Sequence, residues 1–308
     1  MKCAYHPNYA VSLGPGHPFP MSKYPLLKDR LLHERLIAAE DLVEPQPISL
    51  DMAAGVHTAD YLSRLVQGDL SAAEVRRLGL PWSDALWLRS RLAAGGTLLA
   101  ARIALSEGIA ANLAGGTHHA FADHGEGFCV LNDVAIAIAQ LRLERRIARA
   151  LVIDLDVHQG NGTAAIFADS ANVYTFSMHG EKNYPTLKMR STRDVALADG
   201  LDDAGYLGAL EEQLPSVLDA ASADLAFYVA GVDVVAGDRY GKLALSEPGL
   251  QMRERIVLSA ARARSLPLTI VLGGGYAPTR ERTAELHVHV IREAVTQQRG
   301  HRTVTARP

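Results

Sequence analysis

Asp154, Asp156 and His158 occupy alternate positions in VIDLDVHQGNG. In extended backbone alternate side chains share a face, so the three project together, with apolar Leu155 and Val157 behind them. A carboxylate and an imidazole two residues apart can reach one metal ion, and Asp233, in AGVDVVAG, could supply a third ligand. Three protein ligands with a fourth position left for water is the pattern of a catalytic rather than a structural zinc site. The same short D-x-D-x-H could instead be an acidic loop capping a neighbouring helix. His118 and His119 follow Gly115-Gly116-Thr117. Adjacent histidines in a loop are often a surface accident, yet imidazole titrates near neutrality, and a pair beside an activated water can share proton uptake and delivery. Tyr276 follows Gly273-Gly274-Gly275, which permits close backbone approach and leaves a phenol on a mobile loop. It could equally be an ordinary half-buried tyrosine on a turn. Phosphate binding by the glycines is disfavoured, because no Walker lysine or full G-x-G-x-x-G accompanies them.

These residues gain weight from the elements that carry them. Apolar runs at Ile109 to Ala114, Ala150 to Leu155, Val173 to Ser177, Leu225 to Ala230 and Leu268 to Leu272 read as strands. Helical patterns fall at 91–107, 132–146, 204–221, 248–265 and 281–296. The alternation predicts a single three-layer α/β/α domain over 1–300 with a mainly parallel central sheet, and a disordered tail over 301–308. Ligands of such sheets sit beyond the carboxyl ends of the strands. Four of the runs end in Gly115–His119, Asp154–His158, Gly231–Asp233 and Gly273–Tyr276, all on that one edge. His57, ahead of a helix capped by Thr58, and His287 and His289, on the last helix and far from any strand end, read as structural; so do Trp82 and Trp87.

Composition narrows the function classes. The chain of 308 residues is 48% hydrophobic and 21% charged, and 31 basic against 34 acidic residues leave a formal charge of −3. That balance gives no electrostatic case for nucleic acid or anionic membrane as a partner. The start lacks a signal-peptide pattern, and no apolar run of about 18 residues predicts a membrane span. Two cysteines cannot build a disulfide framework, so the expected location is cytoplasmic.

The blocks GGTHHAFADHGEGFCVLND, VIDLDVHQGNGT, AGVDVVAGDRYGKLALS and LGGGY, in this order, resemble the histone deacetylase family of the arginase–deacetylase superfamily. The likeness runs from about Ala4 to Ala294, and HQGNG with the AGVDVVAGDRYGKLALS block is most similar to the class IV branch and its bacterial relatives. The resemblance implies a metal-dependent amidohydrolase acting on acyl-lysine in proteins or peptides, or on a small acylated amine. It makes Asp156, His158 and Asp233 the ligands of Zn²⁺, with Fe²⁺ an alternative. His118 and His119 become the proton-transfer pair, and Tyr276 the carbonyl-polarising phenol. Asp154 would orient His118 and, with Ser177 and backbone carbonyls around Asp156, His158 and Met178, hold a structural K⁺ or Na⁺; a more peripheral cation would lie near Phe167, Ser170 and Val173. Phe128, Gly127 and Gly275 would line a narrow acyl tunnel, with contributions from Tyr184 and Tyr240. Where the common class I pattern puts an aspartate behind His119, this chain has Asn161, which can orient the ring without stabilising its charge. The small residues Ala93-Ala94-Gly95-Gly96 and Ala110 to Ala114 could leave space for longer acyl chains below the metal, with Tyr240 narrowing that foot, or could serve close packing.

Overall fold

The computed structural model describes residues 1–305, and from Gly300 onward the backbone alone. In chain order the elements are β1 (Cys3–Ala4), α1 (Lys23–His33), β2 (Leu42–Val43), α2 (Leu50–Ala54), α3 (Ala59–Gln67), α4 (Ala72–Leu78) and α5 (Asp84–Glu107). There follow β3 (Ile109–Asn112), α6 (Asp133–Leu143), β4 (Ala150–Asp154), α7 (Asn161–Ile166), β5 (Val173–Gly180) and β6 (Arg193–Leu197). The chain closes with α8 (Asp203–Ala221), β7 (Leu225–Val229), α9 (Glu247–Ala263), β8 (Leu268–Val271) and α10 (Arg280–Thr305). One eight-stranded sheet runs in the order β2-β1-β3-β8-β7-β4-β5-β6, and every pairing is parallel.

Alternation along the strands divides the core between the two faces. Val152, Phe227, Val229 and Val271 pack with Leu98, Ala101, Val134 and Ile138 of α5 and α6. Leu151, Ile153, Tyr228 and Ile270 pack with Leu210, Leu250, Val257 and Ile291 of α8, α9 and α10 on the other side. Strands buried on both faces need continuous apolar sequence, which is why they read clearly.

Differences from the sequence reading have local causes. The helix expected from residue 91 begins at Asp84, because Ser83 caps it by accepting from Leu86 N–H. β6 escaped because it is an edge strand of largely exposed residues. The last helix continues past Thr296 to Thr305, through most of the segment expected to be disordered; residues 306–308 lie outside the described residues. Among the described residues no helix is long and apolar enough to cross a membrane.

Candidate active site

The sheet delivers Asp154 at the end of β4, paired in register with Ser177 of β5, while Gly231–Asp233 follow the end of β7 beside it. Beyond β4 the chain winds tightly: Asp154 Oδ1 accepts from Asp156 N–H at 3.2 Å, and Asp156 Oδ1 from His158 N–H at 3.0 Å. Val157 N–H donates to Asp233 Oδ1 at 2.9 Å, joining the two strand ends. A fully buried arginine locks them from behind. Arg253 of α9 donates to Leu155 O at 3.1 Å and Gly231 O at 2.7 Å, its charge met by Glu254 at 2.6 Å. Arg253 went unnoticed in the sequence, although it interrupts the apolar stripe Leu250, Val257, Leu258 at a helical step, which was the available signal.

Asp156, His158 and Asp233 are buried, and one ligand atom from each lies within 4.8 Å of the others. His158 Nδ1 stands 3.0 Å from Asp156 Oδ1 and 3.2 Å from Asp233 Oδ2, and the latter oxygen has no properly oriented hydrogen bond. Burial and repulsion from Asp156 push the Asp233 carboxyl up to about 7. Burial opposes charge on His158, yet the two carboxylates outweigh it and raise the imidazole to about 10. A buried cluster that holds a proton so strongly is short of positive charge. A divalent cation supplies it, so the donor set fits one.

The adjacent histidines differ in their partners. His118 Nδ1 lies 2.7 Å from Asp154 Oδ2, and His119 Nδ1 lies 2.6 Å from Asn161 Oδ1. For His118, burial disfavours the charged form, but Asp154 and Asp156 prevail and hold it at about 9. For His119, burial and the neighbouring His118 and His158 push the value well below the ordinary one, and the bond to Asn161 offsets little of this. A residue missed in the sequence stands behind Asn161: its amide donates to Glu126 Oε1 at 2.8 Å, with His124 3.6 Å from the other carboxylate oxygen. Glu126 sits inside the GEGF block, where nothing in spacing alone marks it.

Ser177 Oγ lies 2.9 Å from His179 Nδ1, so the hydroxyl beside Asp154 is already engaged on one side. Phe167 and Ser170 belong to the turn before β5, where Ser170 N–H donates to Phe167 O at 3.0 Å.

A cleft of about 320 Å³ descends to His119 and His158 between Phe128 and Tyr184, with Tyr240 and Tyr276 on its walls. Gly127 is required where it stands, because a Cβ there would lie 2.6 Å from His119 Cδ2. Phe128 adopts φ +67° and is pinned by its N–H bond to Leu78 O at 2.8 Å. Tyr184 comes within 5.1 Å of the His119 ring, centre to centre, opposite Phe128.

Four expectations about this region need correction. Tyr240 does not narrow the foot; it stands at the mouth with its ring 4.9 Å from that of Tyr276. Gly275 packs behind the loop against Val232 and Thr283 and lines neither cavity, and beneath it lies His287, buried and near the strand end after all. Gly95 and Gly96 leave no space below the site. An added Cβ would fall 1.9 Å from Gln46 O at the first and 2.0 Å from the Tyr9 hydroxyl at the second, so they serve close packing of α5. The chamber at the foot measures about 30 Å³ and is bounded by Phe19, Tyr24, His118 and Gly273. Lys23, also buried, donates nearby to Gly273 O at 2.9 Å.

Asp238 organises the phenolic wall, which sequence spacing did not suggest. Its carboxylate accepts from Tyr240 N–H at 2.8 Å, Gly241 N–H at 3.0 Å and Tyr276 N–H at 2.6 Å. Asp238→Ala would free both tyrosine backbones. A fall in kcat of roughly tenfold is expected, the effect of losing about 1.4 kcal/mol of positioning, with metal content unchanged. Wild-type kcat in a folded Asp238→Ala protein would remove this role.

The histone deacetylase domain matches residues 17–292. An uncharacterized protein of Picosynechococcus sp. is 48% identical over 273 residues, covering 89% of this chain and 91% of its own. Histone deacetylase 2 of Arabidopsis thaliana is 32% identical across 92% of this chain and 76% of its own, and histone deacetylase 8 of Xenopus tropicalis 30% across 76% and 68%. A domain match across most of the chain and a parallel α/β sheet with its donor cluster at the carboxyl edge lead to one conclusion: this protein belongs to the histone deacetylase family.

Proposed function

We propose that this protein is a zinc-dependent deacetylase whose substrate is acetyl-lysine in a protein or peptide. The observation that carries the reading is the convergence, at the bottom of one narrow cleft, of a cation-deficient donor cluster, two histidines of opposite proton affinity and a phenol. Asp156, His158 and Asp233 hold the ion, Zn²⁺ by assignment, with Fe²⁺ suited to the same donors. When bound, the ion supplies Lewis-acid chemistry, acidifying water and polarising the acyl carbonyl.

The chain's own residues do the rest. The acyl-lysine stem passes between Phe128 and Tyr184, which exclude water from it. His119 is neutral, and with Nδ1–H donated to Asn161 it presents a free Nε2 as the base that takes a proton from water. The same nitrogen then returns the proton to the departing amine. His118, kept cationic by Asp154, places positive charge beside the developing oxyanion, and the Tyr276 hydroxyl donates to it. Asn161 behind His119 favours the class IV branch. A K⁺ or Na⁺ held by Asp154, Ser177 and the carbonyls of Asp156, His158 and Met178 would stiffen the metal loop. The whole unit, residues 1–300, acts as one catalytic domain, and its two buried free cysteines suit the cytoplasm.

The foot favours short acyl groups. About 30 Å³ is room for a water or a methyl, and a longer chain must displace Phe19 or Tyr24 from a packed wall. One lysine peptide carrying acetyl, butyryl, octanoyl or myristoyl groups tests this. We expect kcat/KM to fall at least tenfold from acetyl to octanoyl, since overpacking of this kind costs about 1–3 kcal/mol. A rise with chain length would replace this assignment with fatty-acyl hydrolysis.

A further inference from the structure

The mouth of the cleft is bordered by arginine. Arg76 and Arg77, in the last turn of α4, form part of its wall, and both are exposed. Among the described residues neither side chain has an ion-pair or hydrogen-bonding partner. A helix C-terminus favours cations in its last turn, which explains why arginines stand there but not why they border the cleft without a carboxylate. A third arginine, the exposed Arg239, lies with its guanidinium 5.5 Å from the centre of the Tyr240 ring, itself on the cleft wall.

The acids nearby are already engaged. Glu74, on the same helix, is held by Arg64 at 3.1 Å and caps its own helix through Ser71 N–H. Glu126 is turned inward to Asn161, and Asp238 is saturated by three backbone N–H groups. None of the residues lining the cleft is acidic. On a chain with a formal charge of −3, the cleft lining thus carries two arginines and no carboxylate.

We propose that this rim selects acidic peptides: acetyl-lysines flanked by aspartate or glutamate bind and turn over best, while cationic substrates, lysine- and arginine-rich tails or acetylated polyamines, are repelled. The proposal rests on the deacetylase reading and narrows its substrate class. Exposed charges of this kind act mainly on encounter and binding, so selection falls on KM more than on kcat.

Three acetyl-lysine peptides identical except for glutamate, glutamine or lysine at the flanking positions decide it, assayed on the zinc-loaded wild type and on the Arg76→Gln/Arg77→Gln variant. Summed over several exposed pairs, the glutamate peptide should exceed the lysine peptide in kcat/KM on the order of tenfold at low salt. The ratio should shrink in 0.5 M salt, where screening shortens the reach of the charges, and fall at least several-fold in the variant, where Arg239 alone remains. Equal rates for all three peptides, a preference for lysine flanks, or a preference undiminished in the variant would overturn the proposal. If no peptide is turned over, the deacetylase reading fails on its own. Fluorescence-anisotropy affinities of the same labelled peptides for both proteins then decide the charge selection independently.

Discussion

Asp233→Asn is expected to lose its divalent ion on dialysis and to retain no measurable deacetylase activity. Asp156 and Asp233 are buried with His158 between them, so their charges call for a cation or a bound proton there. Asparagine removes one negative charge and replaces a ligand oxygen by an NH₂ that cannot ligate, or turns its oxygen away from Val157 N–H. Losing a hydrogen bond that merely supports a ligand costs 10- to 100-fold in metal affinity, and losing a ligand should exceed that. The metal-free protein should respond in the opposite sense. Burial and Asp156 raise the Asp233 carboxyl, so its charged form is disfavoured in the fold. Removing that charge should leave the apo-protein's Tm equal or higher, while added zinc no longer raises it. His158→Ala should likewise lose both ion and activity. Metal analysis showing full occupancy in both variants would dismiss the ligand set.

Tyr276→Phe should separate chemistry from metal binding. No protein group among the described residues hydrogen-bonds the Tyr276 hydroxyl, and burial followed by Asp233 and Asp156 keep its pKa well above that of a free phenol. It is therefore a neutral donor with an unspent proton, set by Asp238 and flanked by Phe128 and Tyr240. Removing one oxyanion donor typically costs 10²–10³ in kcat. The variant should keep its metal, its Tm and nearly its KM while losing about that factor. Turnover equal to wild type would take the phenol out of the mechanism.

The reach of sequence reasoning here follows from how each feature is encoded. Strands β3, β4, β7 and β8 are buried on both faces, so each announces itself as an apolar run, and the polar residues following each run land on the ligand edge by topology. That logic brings Asp156, His158, Asp233, His118, His119 and Tyr276 together, and the His118–Asp154 and His119–Asn161 contacts are present as expected. What stayed hidden depends on chain segments distant in sequence. Arg253 reaches Leu155 across 98 residues, Asp238 reaches Tyr276 across 38, and Glu126 meets Asn161 only because two loops fold onto each other. Glycine has no side chain to declare whether it opens a void or admits a neighbour, and for Gly95 and Gly96 only the close approach of Gln46 and Tyr9 distinguishes the two.

The order of strands bears on how the chain can be assembled as it leaves the ribosome. β1, β2 and β3 form one edge of the sheet and β4, β5, β6 and β7 the other, and the two groups meet only through β8. A nascent chain that has not yet released Leu268–Val271 holds two half-sheets with an open slot between them, each exposing unpaired backbone. His118 and His119 follow the first group, whereas all three metal-site residues follow strands of the second. The histidine pair and the three metal-site residues therefore belong to different halves of the sheet, which β8 alone joins.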